Sequence, residues 1–385
     1  MRMVTESDLS REQREICYAP PTGTILVIGP PGSGKTVVAL HRAHGLAQQE
    51  LEHQVLVFNH VLRKYTGDGS TFYKWLAGWW RRCTGRLFPS TRVHGGPYSN
   101  RFDFGSAIDQ LRANVDHFTN GGNWGHLILD EAQDFPREAH VLLSLVQQHL
   151  DSASKKSSLM ILADENQRIT DANSTIKDIA MTHFLSSEDK YELKRNYRNT
   201  LEIARFSGSF YAGLPSGKPE LPDRRGSLPT IVRTNGIDSF VDRIATWSMS
   251  HDDQEIGILV YYNKTRKKLF NKLMHRLSGT GIRVQTYTST RDDPNNDPAK
   301  LVFDEGGVVT VICFASSKGL EFDTVFLPEL QSMPVDFENR DGARMQLYVM
   351  SSRARRDLFL GITDPGQNAD IWQILPEDES LYRME

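Results

Sequence analysis

The sequence contains little cysteine. Of its 385 residues only Cys17, Cys83 and Cys313 are cysteines, and they lie far apart in the chain. Three separated cysteines provide neither a disulfide framework nor a C-x-x-C pair of metal ligands. This cysteine usage is typical of a reducing compartment, and we expect a cytoplasmic protein.

Long hydrophobic runs are also lacking. No apolar run approaches the roughly 20 residues that a membrane-spanning helix needs, and the first residues lack the apolar region of a signal peptide. We therefore expect no membrane segment. Neither charge sign dominates, because 45 Lys and Arg stand against 48 Asp and Glu. The overall charge thus neither requires nor excludes a polyanionic partner such as a nucleic acid. Local clusters of charge are the better guide to such a partner.

Short apolar runs bounded by glycine, proline or polar residues are frequent and predict buried parallel strands. They lie at 24–28, 55–58, 126–129, 159–163, 256–261, 308–314 and 324–327. Helical patterns lie between them at 35–49, 136–149, 200–211 and 266–277. This alternation predicts a doubly wound α/β fold. A segment rich in proline and glycine, 211–230, predicts a linker between two α/β domains, 1–210 and 231–385.

A glycine-rich segment, G-P-P-G-S-G-K-T at 29–36, follows the first predicted strand and opens a helix. It matches the phosphate-binding P-loop pattern. Backbone N–H groups at Gly29, Gly32 and Gly34 can face phosphate oxygens. Lys35 is expected to reach the terminal phosphates of a nucleotide, and Thr36 to offer its hydroxyl to Mg²⁺.

A second strand, H-L-I-L, is followed directly by Asp130 and Glu131. A carboxylate at the end of a buried strand can hold hydrated Mg²⁺, and the next carboxylate can take a proton from the attacking water. We therefore assign Asp130 to the metal and Glu131 to general-base catalysis. Together with the P-loop, this pair indicates a nucleoside triphosphatase.

Six further sequence motifs form an ordered series along the chain together with the P-loop and the Asp130–Glu131 segment. They are L-S-R-E-Q at 9–13, V-F-N-H at 57–60, A-D-E-N-Q-R at 163–168, K-R-N-Y-R-N at 194–199, S-S-K-G-L-E-F at 316–322 and V-M-S-S-R-A-R at 349–355. With this series the chain resembles superfamily 1 helicases of the UvrD, Rep and PcrA type over about residues 9–361. The resemblance implies two tandem RecA-like P-loop NTPase domains, with a small accessory insertion at 66–125 in the first.

The resemblance also implies that ATP is hydrolysed in the cleft between these domains and that the protein moves 3′ to 5′ on single-stranded DNA. Four residues would bind the nucleotide: Gln13 and Tyr197 at the adenine, and Gly319 and Glu321 in the fifth motif. Three residues would act on the γ-phosphate: Gln167, Arg198 and Arg353.

A basic stretch, 61–101, carries eight Lys or Arg residues against one acidic residue, with aromatic residues interleaved. Cations that follow phosphates and rings that stack on bases are typical of a single-strand nucleic-acid groove. The expected contacts, including those implied by the segment 57–60, are Phe58, Asn59, His60, Arg63, Lys64, Trp79, Arg81 and Arg82. The alternative is that the rings, which recur at helical spacing, pack the insertion onto the core.

Larger relatives carry long insertions that grip duplex DNA, whereas here the gaps at 66–125 and 200–315 are short. Three functions therefore stay open: an ATP-dependent single-stranded DNA translocase or helicase, an ATPase switch that licenses a separate effector such as a nuclease, and a binding module with a structural ATP site. UvrD-like subunits beside nucleases in anti-phage systems such as Gabija exemplify the second. RNA is an open alternative to DNA.

Overall fold

A computed structural model describes residues 5–57, 70–92, 100–115, 118, 122–164, 174–213, 217–290, 293–336, 340–363 and 370–385. Within these ranges no helix combines the length and apolar character that crossing a membrane requires. The chain divides into two compact units. The N-terminal unit comprises Val4–Gly29 and Gly34–Leu193, and the C-terminal unit comprises Lys194–Glu385 together with Pro30–Ser33. The C-terminal unit thus begins at Lys194, ahead of the predicted boundary at residue 210.

The N-terminal unit contains a six-stranded sheet whose strand pairs are all parallel. The strands of this unit are β1 (Gly23–Ile28), β2 (His53–Val57), β3 (Ser70–Thr71), β4 (Ser90–Arg92), β5 (Asn100–Phe102), β6 (His126–Leu129), β7 (Ser158–Ala163) and β8 (Lys190–Glu192). The order across the sheet is β3-β2-β6-β7-β1-β8, and β4 and β5 form a separate antiparallel pair. Because β6 and β7 are buried along their whole length, they read as continuous apolar runs in the sequence.

Helices cover this sheet. The described helices of the unit are α1 (Arg11–Cys17), α2 (Lys35–Gln48), α3 (Phe72–Thr84), α4 (Phe104–Ala113), α5 (Arg137–Ser152) and α6 (Ile176–Thr182). The predicted insertion contributes β3, α3, the β4–β5 pair and α4. Phe72 of α3 stacks on Phe135 with ring centroids 4.4 Å apart. The insertion therefore shares the hydrophobic core of the unit.

The C-terminal unit contains a seven-stranded sheet, again with parallel pairs only. Its strands are β9 (Thr230–Thr234), β10 (Glu255–Val260), β11 (Arg283–Tyr287), β12 (Val308–Cys313), β13 (Phe322–Leu327), β14 (Ala354–Thr363) and β15 (Arg383–Met384), in the order β11-β12-β10-β13-β14-β9-β15. The described helices are α7 (Leu201–Gly208), α8 (Ile237–Ser250), α9 (Asn263–Arg276) and α10 (Asp341–Ser351). Phe240, Ile258, Leu269 and Phe326 are fully or almost fully buried between sheet and helices.

The predicted α/β class with parallel sheets is confirmed in both units. In the N-terminal unit, β6, β7 and β1 are neighbours and run in the same direction. Their carboxyl ends therefore lie side by side at one edge of the sheet, where open parallel sheets bind their ligands. The RecA-like description of the two units stays a proposal.

Candidate functional site

Three chain segments leave the carboxyl ends of β1, β6 and β7 in the N-terminal unit. The first leads from Gly29 towards Lys35, the second begins at Asp130, and the third begins at Asp164. The adjacency of the three strands brings together polar residues that are far apart in the sequence. The site is thus a product of strand order.

Glycine is required by the geometry of the P-loop. Gly32 and Gly34 have φ angles of +82° and +88°, in the left-handed region that residues with a Cβ rarely adopt. A Cβ at Gly32 would also lie 2.6 Å from Asn196 Oδ1, within the C-terminal unit that contains both residues. Gly34 directly precedes α2, so the first N–H groups of that helix face the loop.

Lys35 is buried at the start of α2. Its Nζ donates to the Gly29 carbonyl at 2.6 Å and lies 3.4 Å from Asp164 Oδ2. The charged amine is therefore held beside the loop by a backbone oxygen and a carboxylate. This position suits a lysine that neutralises phosphate oxygens.

Thr36 and Asp130, which the sequence assigns to Mg²⁺, lie within hydrogen-bond distance of each other. The Thr36 hydroxyl donates to Asp130 Oδ2 at 2.8 Å. Burial raises the pKa of Asp130 to about 6, with the Glu131 charge adding to it and the Thr36 hydrogen bond and the Lys35 charge opposing it. A hydroxyl and a carboxylate are hard oxygen ligands, and a divalent cation would offset the charge of this buried carboxylate. The residues present therefore fit Mg²⁺ bound together with nucleotide phosphates.

Glu131 adopts a left-handed conformation with φ of +55° directly after the strand. Its N–H donates to Asp130 Oδ1 at 3.0 Å, which joins the backbone of one carboxylate residue to the side chain of the other. Glu131 is 5% exposed, so its carboxylate is nearly as buried as that of Asp130. Strained backbone at a buried acidic residue is typical of functional sites.

Gln133 is a site residue that the sequence did not reveal. Its Nε2 donates to Glu131 Oε2 at 2.5 Å, and its Oε1 accepts the Asp164 N–H at 3.0 Å. The fully buried amide thus orients the Glu131 carboxylate and ties it to the end of β7. The only sequence signal was its place two residues after Glu131, which by itself indicates no contact.

Gln13 lies in the N-terminal unit as part of a capping box at the start of α1. Ser10 N–H donates to Gln13 Oε1 at 3.0 Å, and the Gln13 N–H donates to Ser10 Oγ at 3.2 Å. The side chain is buried against Gly34 of the P-loop. Its predicted contact with adenine stays a prediction.

In the C-terminal unit, Arg198 and Glu321 form an ion pair with Nε and Oε2 2.6 Å apart. Arg355 contacts the other oxygen of the same carboxylate at 3.1 Å. Burial by itself would raise the pKa of Glu321, but the charges of Arg198 and Arg355 and the hydrogen bond from Arg198 outweigh it and lower the pKa to about 2. Glu321 is therefore an ionised, partly buried partner of two arginines.

The other predicted residues of the C-terminal unit occupy contrasting environments. Arg353 is 1% exposed, and its Nη1 lies 3.4 Å from the Leu320 carbonyl. Tyr197 is 44% exposed, and the Arg195 guanidinium lies 5.9 Å from its ring centroid. Gly319 has a φ of +82° in the turn that precedes Glu321. Their contacts with a nucleotide stay predictions.

Trp79 corrects one prediction for the nucleic-acid surface. It is 1% exposed, its Nε1 donates to the Gly122 carbonyl at 3.0 Å, and its ring packs among the aromatic side chains of the core. A ring enclosed in this way cannot stack on a base, so the packing alternative applies to Trp79. Arg81 and Arg82 are exposed on the same helix, and their contacts with nucleic acid stay predictions.

Several predicted residues lie outside the described residues. They are Phe58, Asn59, His60, Arg63, Lys64 and Gln167. Their predicted roles in nucleic-acid binding and γ-phosphate sensing are retained as predictions.

Comparisons with known proteins found a family model, a curated relative and a solved structure that resemble parts of this chain. A family model described as "Schlafen group 3, DNA/RNA helicase domain" matches residues 22–207. A protein of Acanthamoeba polyphaga mimivirus named "Putative ATP-dependent DNA helicase" is 24% identical over 250 residues, which cover 61% of this chain and 34% of the viral protein. The C-terminal domain of a "possible DNA helicase" from Lactobacillus plantarum is 22% identical, with a TM-score of 0.34, over 49% of this chain and 98% of that one. The two sequence matches thus show similarity to proteins described as helicases over parts of this chain.

Proposed function

We propose that the protein is an ATP-dependent single-stranded DNA translocase or helicase of the UvrD-like type in superfamily 1. The observation that carries the proposal is the convergence of Lys35, Thr36, Asp130 and Glu131 at the carboxyl ends of adjacent strands. This set contains a cation for phosphates, two oxygen ligands for Mg²⁺ and a base for water. The similarity to helicase sequences over residues 22–207 covers the same segment.

In the proposed reaction, N–H groups of the P-loop and the Lys35 ammonium bind the phosphates of ATP. Thr36 and Asp130 would hold Mg²⁺, which would supply positive charge to the phosphates. Glu131 accepts a proton from the water that attacks the γ-phosphorus, and Gln133 holds the Glu131 carboxylate in orientation through its 2.5 Å hydrogen bond.

Positive charge near the γ-phosphate would come from Arg198 and Arg353, as the resemblance implies. Arg198 is oriented by Glu321, and Arg353 is buried, so both are held in defined positions within their unit. Adenine recognition by Gln13 and Tyr197 and movement in the 3′ to 5′ direction belong to the same proposal.

Steady-state ATP hydrolysis with and without a single-stranded oligonucleotide tests the proposal. We expect turnover by the wild type, stimulation by DNA, and losses of at least about 100-fold in Lys35→Ala and Asp130→Asn, because the first removes the cation at the phosphates and the second an anionic ligand for Mg²⁺. Lys177→Ala, which removes an exposed lysine of the same unit, is the matched control and should keep wild-type turnover. Near-normal turnover in Lys35→Ala would refute the assignment.

A DNA-stimulated ATPase switch that licenses a separate effector, such as a nuclease, is the alternative. The short insertion favours it, since the described part of 66–125 packs into the core of its own unit. A strand-displacement assay with a 3′-tailed duplex separates the two: unwinding supports the helicase, and DNA-stimulated turnover without unwinding supports the switch.

A further inference from the structure

Asn199 ends the segment K-R-N-Y-R-N, where the N-Y-R-S pattern of the resembled family has serine. In the structure Asn199 is 1% exposed, and each polar atom of its amide has a partner. Nδ2 donates to the carbonyls of Ser352 at 3.1 Å and Ala354 at 2.5 Å. Oδ1 accepts from Asn196 Nδ2 at 2.7 Å. This is a fully satisfied buried polar group.

The two carbonyls that Asn199 binds belong to the residues on either side of Arg353. The amide therefore fixes the peptide group between Ser352 and Arg353 and the peptide group between Ala354 and Arg355, which lie on either side of this arginine. The Arg353 carbonyl is fixed too, because it accepts the Phe322 N–H at 3.0 Å. Serine could not replace Asn199 here, since a hydroxyl has one hydrogen to donate and an amide nitrogen has two.

Asn199 also belongs to the turn that carries Arg198. Asn196 Oδ1 accepts the N–H groups of Arg198 at 3.0 Å and of Asn199 at 3.1 Å, which closes this turn. Arg198 Nη1 in turn lies 3.4 Å from the Ser352 carbonyl. Asn199 thus connects the two arginines that the proposed function assigns to the γ-phosphate.

We propose that Asn199 is a positioning residue that holds Arg353 in place for ATP hydrolysis. The inference rests on the proposed function and adds a residue to it. Asn199 acts through the backbone around Arg353, so its loss should affect the transition state more than nucleotide binding. The decrease in kcat caused by replacing both Asn199 and Arg353 should therefore be smaller than the product of the two single decreases.

A double-mutant cycle on DNA-stimulated ATP hydrolysis tests this inference in the full chain. The variants are Asn199→Ala, Arg353→Ala and the double variant. We expect kcat to fall about 10-fold or more in Asn199→Ala while KM and the affinity for a fluorescent ATP analogue change less than about 3-fold. The double variant should be no more than about 2-fold slower than Arg353→Ala. Asn199→Ser, which keeps one donor, should lie between the wild type and Asn199→Ala.

Gln285→Ala is the matched control for loss of a buried amide. Gln285 Nε2 donates to the Val302 carbonyl at 2.7 Å and to Thr310 Oγ1 at 2.8 Å, in the same unit but outside the nucleotide motifs. It should lower the thermal midpoint of unfolding without lowering kcat. Equal losses of kcat in Gln285→Ala and Asn199→Ala would overturn the inference, as would multiplied losses in the double variant. A wild type without ATP turnover would instead refute the proposed function, and the inference with it.

Discussion

Replacement of Trp79 in helix α3 distinguishes between two roles for its ring, packing in the core and stacking on a nucleic-acid base. Trp79 is enclosed by Trp75, Trp80, Phe118 and Trp124, with ring centroids 5.6 to 6.5 Å away. Trp79→Ala would empty most of this space, and Trp79→Phe would keep an aromatic ring but lose the N–H that donates to the Gly122 carbonyl. Both variants should therefore destabilise the N-terminal unit and leave the predicted nucleic-acid surface intact.

The expected magnitudes follow from burial and the single hydrogen bond. Truncation of a buried Trp to Ala costs about 3 to 5 kcal/mol, and a buried carbonyl that loses its donor costs about 1 to 3 kcal/mol. For a unit of this size, each kcal/mol lowers the thermal midpoint by roughly 2 to 4 °C. We expect a decrease of about 6 to 20 °C in Trp79→Ala and of about 2 to 12 °C in Trp79→Phe.

Fluorescence anisotropy with a labelled single-stranded oligonucleotide tests whether the Trp79 variants keep their affinity for nucleic acid. Well below the midpoint of unfolding, the dissociation constant of Trp79→Phe should stay within about 2-fold of wild type. A ring that stacks on a base contributes about 1 to 3 kcal/mol, which corresponds to roughly 5- to 150-fold in affinity. A loss of that size with an unchanged thermal midpoint would refute the packing assignment. The exposed Arg81 provides the contrast, because Arg81→Ala should weaken binding and lower the salt dependence by about 0.7.

Two further predictions concern buried polar groups. Gln133→Leu should lower kcat for ATP hydrolysis about 10-fold or more with nucleotide affinity nearly unchanged, because the Glu131 carboxylate loses its 2.5 Å donor; unchanged kcat would contradict this role. Burial raises the pKa of Glu255 to about 7, so the folded protein holds this proton between about pH 4.5 and 7 and loses stability as pH rises through that range. In thermal unfolding, Glu255→Gln should therefore be roughly 1 to 3 kcal/mol more stable than wild type at pH 8 and much closer to it at pH 4.5. The exposed control Glu305→Gln should differ from wild type by less than about 0.5 kcal/mol at both pH values. A stability difference in Glu255→Gln that does not depend on pH would exclude the explanation.

The sequence predicted seven of the buried strands, β1, β2, β6, β7, β10, β12 and β13, but it missed the largely buried strands β9 and β14. Strands β6 and β12, for example, start at the predicted residues 126 and 308, because continuous apolar runs bounded by polar residues have few other structures open to them. Strand β11 (Arg283–Tyr287) was missed, since its sequence R-V-Q-T-Y is largely polar. Its Gln285 and Thr286 are buried, and their side chains form hydrogen bonds with Val302, Thr310 and Val311. The periodicity of apolar residues does not reveal such contacts.

Among the residues of the candidate site, too, the sequence predicted some and missed others. Lys35, Thr36 and Asp130 could be identified because each belongs to a local pattern at the end of a strand. Gln133 and Asn199 could not, because their roles depend on partners 31 to 155 residues away in the chain. Trp79 was misassigned because composition alone does not distinguish a ring that packs in the hydrophobic core from a ring that faces a nucleic acid.

The most direct test of ATP hydrolysis at the P-loop compares the wild type with Glu131→Gln, with and without single-stranded DNA. The amide keeps the size of the side chain but cannot accept a proton from water. We predict that the wild type hydrolyses ATP faster with DNA, and that Glu131→Gln binds a fluorescent ATP analogue with wild-type affinity while its turnover falls by at least about 100-fold. Turnover in Glu131→Gln equal to that of the wild type would contradict the account.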